Sequence, residues 1–449
     1  MAEGAYAATL GGGIWGLARL LVRLFYRLER TGLDLPDGPV LLVANHANGL
    51  LDPAIVVDTS RRRPRFLGKS TLFSIPVVGW FVRHVGTIPV FRRSDGVDTS
   101  RNEEMFRDVR AALASGDAVC LFPEGISHSS GRLEALRTGA ARIALGAAAE
   151  GVPVRVVPIG LNFEEKEVFR STVIVTYGAP IECAPLAAGY AAAPAEAVRA
   201  LTAEIATRLR DVMIEAEPTT DAEIVARVER VYAAARGLDR TPAAVVERRR
   251  LVADGMRMLR ERHPDRFAVL YEQLRRYERR LARFGLTEDA VNRKVSLAAA
   301  ARFTARESAL AVILWPLIAA GVLVFAVPYQ LVRLVAASAR TSLDQRATMK
   351  IGFGLLFYPL WVGGLAWAAW RAWGGTRGVV TLSALPVLAI ATILAQEREA
   401  AVIETVRGTL AAWRTRDGTE GRLSKQRAAI ATLMDETYRW LQEDGPREP

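Results

Sequence analysis

Cysteine and histidine are both scarce in this 449-residue chain, and each scarcity excludes something. The two cysteines, Cys120 and Cys183, sit in apolar strand-like segments with no Cys-x-x-Cys pair. Neither a disulfide framework nor a zinc site is supported, no other metal ligand cluster is read, and a reducing compartment suits both thiols. Four histidines, His46, His84, His128 and His263, keep the search for a general base at neutral pH short. No cleavable leader is read, because the apolar run from Ile14 to Leu28 is broken by Arg19, Arg23 and Arg27. Gly68-Lys69-Ser70-Thr71 is not a phosphate loop, since Arg63 stands where the leading glycine is required. No Gly-x-Ser-x-Gly elbow surrounds Ser127 or Ser129, which argues against a serine esterase.

Apolar surface and positive charge are abundant. At 51% hydrophobic and 24% charged the chain is too apolar for disorder and has material for two or three domains. Its 59 basic residues, nearly all arginine, outnumber 48 acidic ones and give a net charge of +11, which suits phosphate or an anionic bilayer. The basic residues are dispersed rather than interleaved with aromatics, so nucleic acid is not an expected partner.

Residues 1–32 read as an N-terminal amphipathic interfacial helix, with arginines on one face and Trp15, Leu20, Leu21, Leu24 and Phe25 crowding the rest. The alternative is a helix packed on the next domain. Residues 33–215 read as an α/β domain, a mixed sheet flanked by helices. Its apolar strands fall at 40–44, 85–91, 118–122, 154–160 and 173–177, and its helices at 103–115 and 135–150. Beyond residue 191 the composition turns to Ala, Arg and Glu with helical spacing over 202–217, 221–235, 243–262 and 264–284, and residues 216–305 read as a helical region. Residues 306–396 hold apolar runs at 309–327, 351–370 and 378–395, each near the roughly 20 residues that span a bilayer. Fully buried core helices are the alternative, against which Trp361, Trp367, Trp370 and Trp373 read as interfacial. Three crossings would place the α/β domain opposite the loop carrying Arg333, Arg340, Arg346 and Lys350. Pro316 and Pro328, bracketing the first run, equally fit a re-entrant hairpin that leaves two crossings. Residues 397–449 read as a helical tail.

One histidine stands in a loaded context. His46 follows strand 40–44 in Asn45-His46-Ala47-Asn48-Gly49-Leu50-Leu51-Asp52-Pro53, where Asp52 and Pro53 read as an N-cap and first helical position. A carboxylate at such a corner can orient the imidazole to take a proton from a hydroxyl. The plain alternative is a capped helix beside an ordinary loop histidine. A second segment, Leu121-Phe122-Pro123-Glu124-Gly125-Ile126-Ser127, is followed by Arg137-Thr138-Gly139 at a helix start. Backbone N–H groups there, with Arg137, could hold a phosphate or an oxyanion. A third, Gly86-Thr87-Ile88-Pro89-Val90-Phe91-Arg92-Arg93, ends a strand in two guanidiniums suited to phosphate.

Together with Val154-Arg155-Val156-Val157-Pro158-Ile159-Gly160, these segments resemble the glycerolipid acyltransferase family, over about residues 33–177. The resemblance implies that His46 deprotonates an acceptor hydroxyl for direct attack on an acyl thioester, oriented by Asp52. It also implies an acceptor and phosphate pocket of Arg92, Glu124 and Gly125, with added charge from Lys69 and Arg137. The family pattern has four residues between histidine and aspartate, whereas this chain has five. The loop as it stands looks like the branch that acylates glycerol 3-phosphate or dihydroxyacetone phosphate; lysophosphatidate is the alternative acceptor, and a non-catalytic membrane adaptor a further one. The implied co-substrate is acyl-CoA or acyl carrier protein, with no cofactor. The arginine-dominated composition suggests a bacterium of high genomic GC content, hence the inner membrane, with the catalytic domain facing the cytoplasm.

Overall fold

The computed structural model describes residues 2–49, 51–92, 102–128, 132–166, 168–214, 218–239, 241–284, 297–338, 343–414 and 419–443. The chain divides into two compact units. The first comprises Met1–Val225, Arg240–Ala253 and Ser342–Thr348; the second comprises Ala226–Asp239, Asp254–Thr341 and Met349–Pro449.

In chain order the first unit begins with α1 (Ala2–Phe25), β1 (Arg27–Gly32), β2 (Val40–Ala44), α2 (Leu51–Thr59), β3 (Arg65–Lys69), α3 (Pro76–His84) and β4 (Ile88–Val90). It continues with α4 (Asn102–Ala114), β5 (Ala118–Leu121), α5 (Gly139–Ala149), β6 (Arg155–Phe163), β7 (Thr172–Tyr177), β8 (Ile181–Glu182), α6 (Ala187–Ala192) and α7 (Pro194–Val212). The sheet runs β1-β7-β6-β2-β5-β3-β4, with β8 also on β6. Strands β6, β2, β5, β3 and β4 are mutually parallel, while β7 and β8 run antiparallel to β6, which makes the sheet mixed. The β2 sequence Val-Leu-Leu-Val-Ala is buried throughout, as a central strand covered on both faces must be. Helices α4, α5 and α7 close one face, with Leu113, Ile143, Leu145, Ile205 and Leu209 against Leu41, Val43 and Val119.

Two elements differ from their sequence reading. The N-terminal helix ends at Phe25, and Arg27–Gly32 is a strand; its polar Arg-Leu-Glu-Arg-Thr-Gly sequence hides a parallel edge pairing with β7. Residues 85–91 yield only the three-residue β4, because the chain up to His84 is helical. Helix α1 packs on the domain: Trp15 lies against Phe66 and Phe81, and Trp15, Val22 and Phe25 are buried. Arg19 donates to Val57 O at 3.1 Å and Arg23, itself exposed, pairs with the shielded carboxylate of Asp58 at 2.8 Å, so two of the arginines expected to face a bilayer are engaged by the domain instead. Leu17, Leu20 and Leu24 are left exposed on α1, beside Arg23.

Among the described residues seven further helices follow: α8 (Pro218–Arg236), α9 (Pro242–Arg262), α10 (Pro264–Phe284), α11 (Leu297–Ser338), α12 (Leu343–Trp373), α13 (Gly375–Arg414) and α14 (Thr419–Glu443). Three hold spans long and apolar enough to cross a membrane, Leu314–Ser338, Thr348–Trp373 and Gly375–Gln396. Their most apolar stretches are only 22, 11 and 17% buried, so they are not core helices and their apolar side chains face outward. Pro316 and Pro328 do not break α11, which is one helix through both, so the hairpin they suggested within the first run is absent. Gly321 lets Thr392 of α13 approach α11 closely, a small-residue contact of the membrane type. Trp361, read as interfacial, instead donates its indole N–H to Val324 O at 2.8 Å, whereas Trp367, Trp370 and Trp373 are exposed near the end of α12.

In the same unit α10 and α14 form a charged helical pair with its own apolar seam. Leu270, Leu274, Tyr277 and Leu281 are buried on one helix, Leu423, Ile430, Ala431 and Met434 on the other. Arg266 reaches both Glu436 and the ring of Trp440, while Asp435 accepts hydrogen bonds from Tyr232 and Arg236 of α8.

Candidate active site

Four of the sequence-predicted site residues leave the sheet at one edge. Strands β2, β5, β3 and β4 are parallel, and their carboxyl ends deliver His46, Glu124, Lys69 and Arg92 respectively. Such an edge is where open α/β sheets present their ligands.

Asn45 fixes the departure of the chain from β2, its amide donating to Leu161 O at 3.2 Å and accepting the Leu161 N–H at 2.7 Å. His46 follows, with Nδ1 2.9 Å from Asp52 Oδ2 and its ring stacked on Phe122 at a centroid separation of 4.1 Å. Asp52 is fully buried, and the same oxygen accepts the Asn48 N–H at 2.8 Å. A buried carboxylate beside Nδ1 assigns the imidazole proton to that nitrogen and leaves the lone pair on Nε2. This is the arrangement of a general base oriented by a carboxylate.

The fifth intervening residue is absorbed by a turn, in which Leu51 N–H donates to Asn48 O at 3.0 Å and Gly49 adopts φ +49°. Helix α2 starts at Leu51, so Asp52 lies in the first turn rather than at the cap, and its carboxylate turns back to the loop. Asn48 is itself held by Tyr26, whose hydroxyl accepts from Asn48 Nδ2 at 2.7 Å and donates to Lys166 O.

Glu124 is placed differently from its expected role in an acceptor pocket. It is buried: Oε1 accepts the His46 N–H at 2.8 Å, and Oε2 accepts from His128 Nε2 and from the Glu134 N–H, the latter at 2.9 Å. The carboxylate therefore clamps three stretches of chain together. His128 N–H donates to His46 O at 3.1 Å and Gly49 N–H to Ser127 Oγ at 3.3 Å, so segment 124–128 is stitched to segment 46–49. Glu124 and the nearby Glu134 raise the His128 pKa above its ordinary value, the hydrogen bond to Glu124 contributing most, against burial and Lys166, which lower it.

Two of the backbone N–H groups expected to hold an anion are otherwise engaged. Gly125 N–H closes a turn onto Phe122 O at 3.1 Å and Arg137 N–H donates to Pro123 O at 2.7 Å. Gly125 has φ +76°, which favours glycine, and the side chain of Arg137, exposed, lies across it. Lys69 and Arg92 are half-buried at the ends of β3 and β4, and Arg93 lies outside the described residues. Cys120 on β5 is buried; burial, then the charge of Asp52, pushes its thiol far up, and burial pushes Cys183 up to about 12. Neither thiol is a nucleophile.

A buried Asp–His base at the carboxyl edge of a parallel sheet, with cations on neighbouring strands, defines a site for deprotonating a hydroxyl beside an anionic group. Residues 27–162 match the family model described as Acyltransferase. Glycerol-3-phosphate O-acyltransferase 1 of Saccharomyces cerevisiae is 28% identical over 265 residues, 55% of this chain and 35% of that protein. The chloroplastic 1-acyl-sn-glycerol-3-phosphate acyltransferase BAT2 of Brassica napus is 33% identical over 147 residues, 32% of this chain and 40% of that protein. The match thus spans well under half of either relative. The crystal structure of the 1-acyl-sn-glycerophosphate acyltransferase PlsC from Thermotoga maritima aligns with a TM-score of 0.33 at 20% identity, over 47% of this chain and 81% of that one.

Proposed function

We propose that this chain transfers a fatty acyl group from acyl-CoA or acyl carrier protein to a hydroxyl of glycerol 3-phosphate or dihydroxyacetone phosphate, feeding phosphatidic acid and phospholipid synthesis. The observation that carries this reading is the 2.9 Å contact between His46 Nδ1 and buried Asp52. Nε2 takes the acceptor's hydroxyl proton as the oxygen attacks the thioester carbonyl; the C–S bond then breaks, and the thiolate leaves with the proton from the imidazolium. Asp52 stabilises that imidazolium while it lasts. No acyl-enzyme is required. Lys69, Arg92 and Arg137 supply positive charge toward the acceptor phosphate and the anionic donor.

The length of the yeast match, well beyond the Acyltransferase domain, supports first-step acylation. The Brassica relative supports the second reading, in which lysophosphatidate is the acceptor. The membrane setting is the bacterial inner membrane, with the catalytic unit on the cytoplasmic side, where acyl thioesters are made, and the exposed leucines of α1 meeting lipid.

The test is acyl transfer by the detergent-solubilised protein from an acyl-CoA to glycerol 3-phosphate, dihydroxyacetone phosphate or lysophosphatidate, with His46→Ala alongside. Product from either of the first two that vanishes in the variant is the expected result. Turnover of lysophosphatidate alone moves the enzyme one step along, and silence on all three, repeated with acyl carrier protein, sinks the reading.

A further inference from the structure

Glu124 holds the backbone of His46 rather than its imidazole, and the group on the far side of Glu124 is another imidazole. Oε1 accepts the His46 N–H at 2.8 Å, and Oε2 accepts from His128 Nε2. His128 closes the loop by donating its own backbone N–H to His46 O at 3.1 Å. Both peptide groups of His46 are therefore tied to residues 124 and 128, while Ser127 Oγ takes the Gly49 N–H of the same turn. We propose that His128 is a positioning residue for the acyl-transfer base: acting through Glu124, it keeps His46 in register with Asp52. This rests on the reading of His46 as the base.

The physical argument concerns a buried carboxylate. Glu124 has its side chain fully shielded, and His128 is only slightly exposed. An ionised carboxylate in such a place is costly unless its charge is met by hydrogen bonds and an opposite charge. Two backbone N–H groups provide the first, and protonated His128 provides the second. Among the described residues, Glu124, Glu134 and Lys166 act on the His128 charge, and their balance favours its charged form. When His128 loses its proton, Glu124 keeps an unbalanced charge next to the His46 peptide, and the clamp loosens. A displacement of about 1 Å at a reacting group costs on the order of 100-fold in rate, so a backbone clamp can matter as much as a direct contact.

The test uses the full-length protein in detergent with His128→Ala and His128→Gln, the latter keeping an N–H donor without the titrating charge. His128→Ala is expected to lower kcat on the order of 10–100-fold with little change in KM for the acyl donor. His128→Gln, which restores the donor but not the charge, is expected to recover part of that loss and to match the level to which the wild type falls at high pH. Wild-type kcat should decline on the alkaline side, above the ordinary imidazole range, and His128→Gln should lack this decline. Wild-type activity in His128→Ala, no rescue by glutamine, or superimposable pH profiles for wild type and His128→Gln would each overturn the proposal. A second readout does not need turnover. With four histidines, the imidazole resonances of labelled protein can be assigned by single substitutions and titrated. A His46 titration that moves in His128→Gln supports the coupling; one that is unchanged overturns it, even if the chain proves to transfer no acyl group. Should His128→Ala fail to fold, His128→Gln carries both readouts.

Discussion

At the residue scale the His46–Asp52 pair shows why a motif one residue longer than its family pattern still closes. The extra residue is taken up between Asn48 and Leu51, and Asp52 reaches back to both Nδ1 and the Asn48 N–H. Asp52→Asn keeps the shape but removes the charge that stabilises the imidazolium, so kcat should fall on the order of 10³–10⁴-fold, with a thermal midpoint close to wild type. A loss below tenfold in steady-state assays would mean that Asp52 is not the orienting group. The pair was legible in the sequence because a polar loop with His and Asp ended an apolar strand. The role of Glu124 was not. Spacing cannot tell whether a carboxylate faces the ligand or turns inward, and His128, seen only beside two serines, carried no signal until the fold set it against Glu124. The raised pKa of His128 has a consequence for stability as well. The clamp contributes fully below the unfolded imidazole value of about 6.5 and is lost as pH rises through the folded value. Melting temperature should therefore drop over that alkaline interval in the wild type and not in His128→Gln.

At the scale of elements, long apolar runs read correctly and polar edges did not. Strands β2, β5, β6 and β7 announced themselves by continuous Val, Leu and Ile, as did the three apolar helices. β1 and β3 are short, half polar and at or near the sheet margin, where burial imposes little pattern. Helix α1 is instructive because its amphipathicity was visible but its orientation was not. The Arg23–Asp58 pair is exposed on the arginine side and contributes at most about 1 kcal/mol, whereas each buried large apolar side chain contributes roughly 1.5–3 kcal/mol. Trp15, Val22 and Phe25 therefore decide which face turns inward, and Leu20, 63% exposed, is left outside. Because Cys120 and Cys183 are buried with raised thiol pKa values, Leu20→Cys should label selectively with an environment-sensitive maleimide. In vesicles its emission should shift to the blue as the probe enters lipid. A spectrum like that of the denatured protein in water would refute the lipid contact.

At the scale of the whole molecule, the apolar helices and the charged pair formed by α10 and α14 have to be considered together. Helix α10 precedes the first apolar span and α14 follows the third, yet the two share a buried seam and ion pairs. Their charged side chains belong in water, so both helices occupy the same aqueous compartment. A chain that leaves a compartment and returns to it crosses the boundary an even number of times. If α10 and α14 stay paired in the membrane-bound protein, parity disfavours three crossings, and the expected topology is two apolar helices crossing with the third lying along the surface. Epitope tags at the two ends of the chain should be cut by protease from the same face of sealed vesicles, and protection of one tag alone would mean that α10 and α14 are not partners in the membrane-bound protein. The rule also limits engineering: deleting the one helix that does not cross should leave the termini on the same side, whereas deleting either of the others would strand α14 across the membrane from its mate.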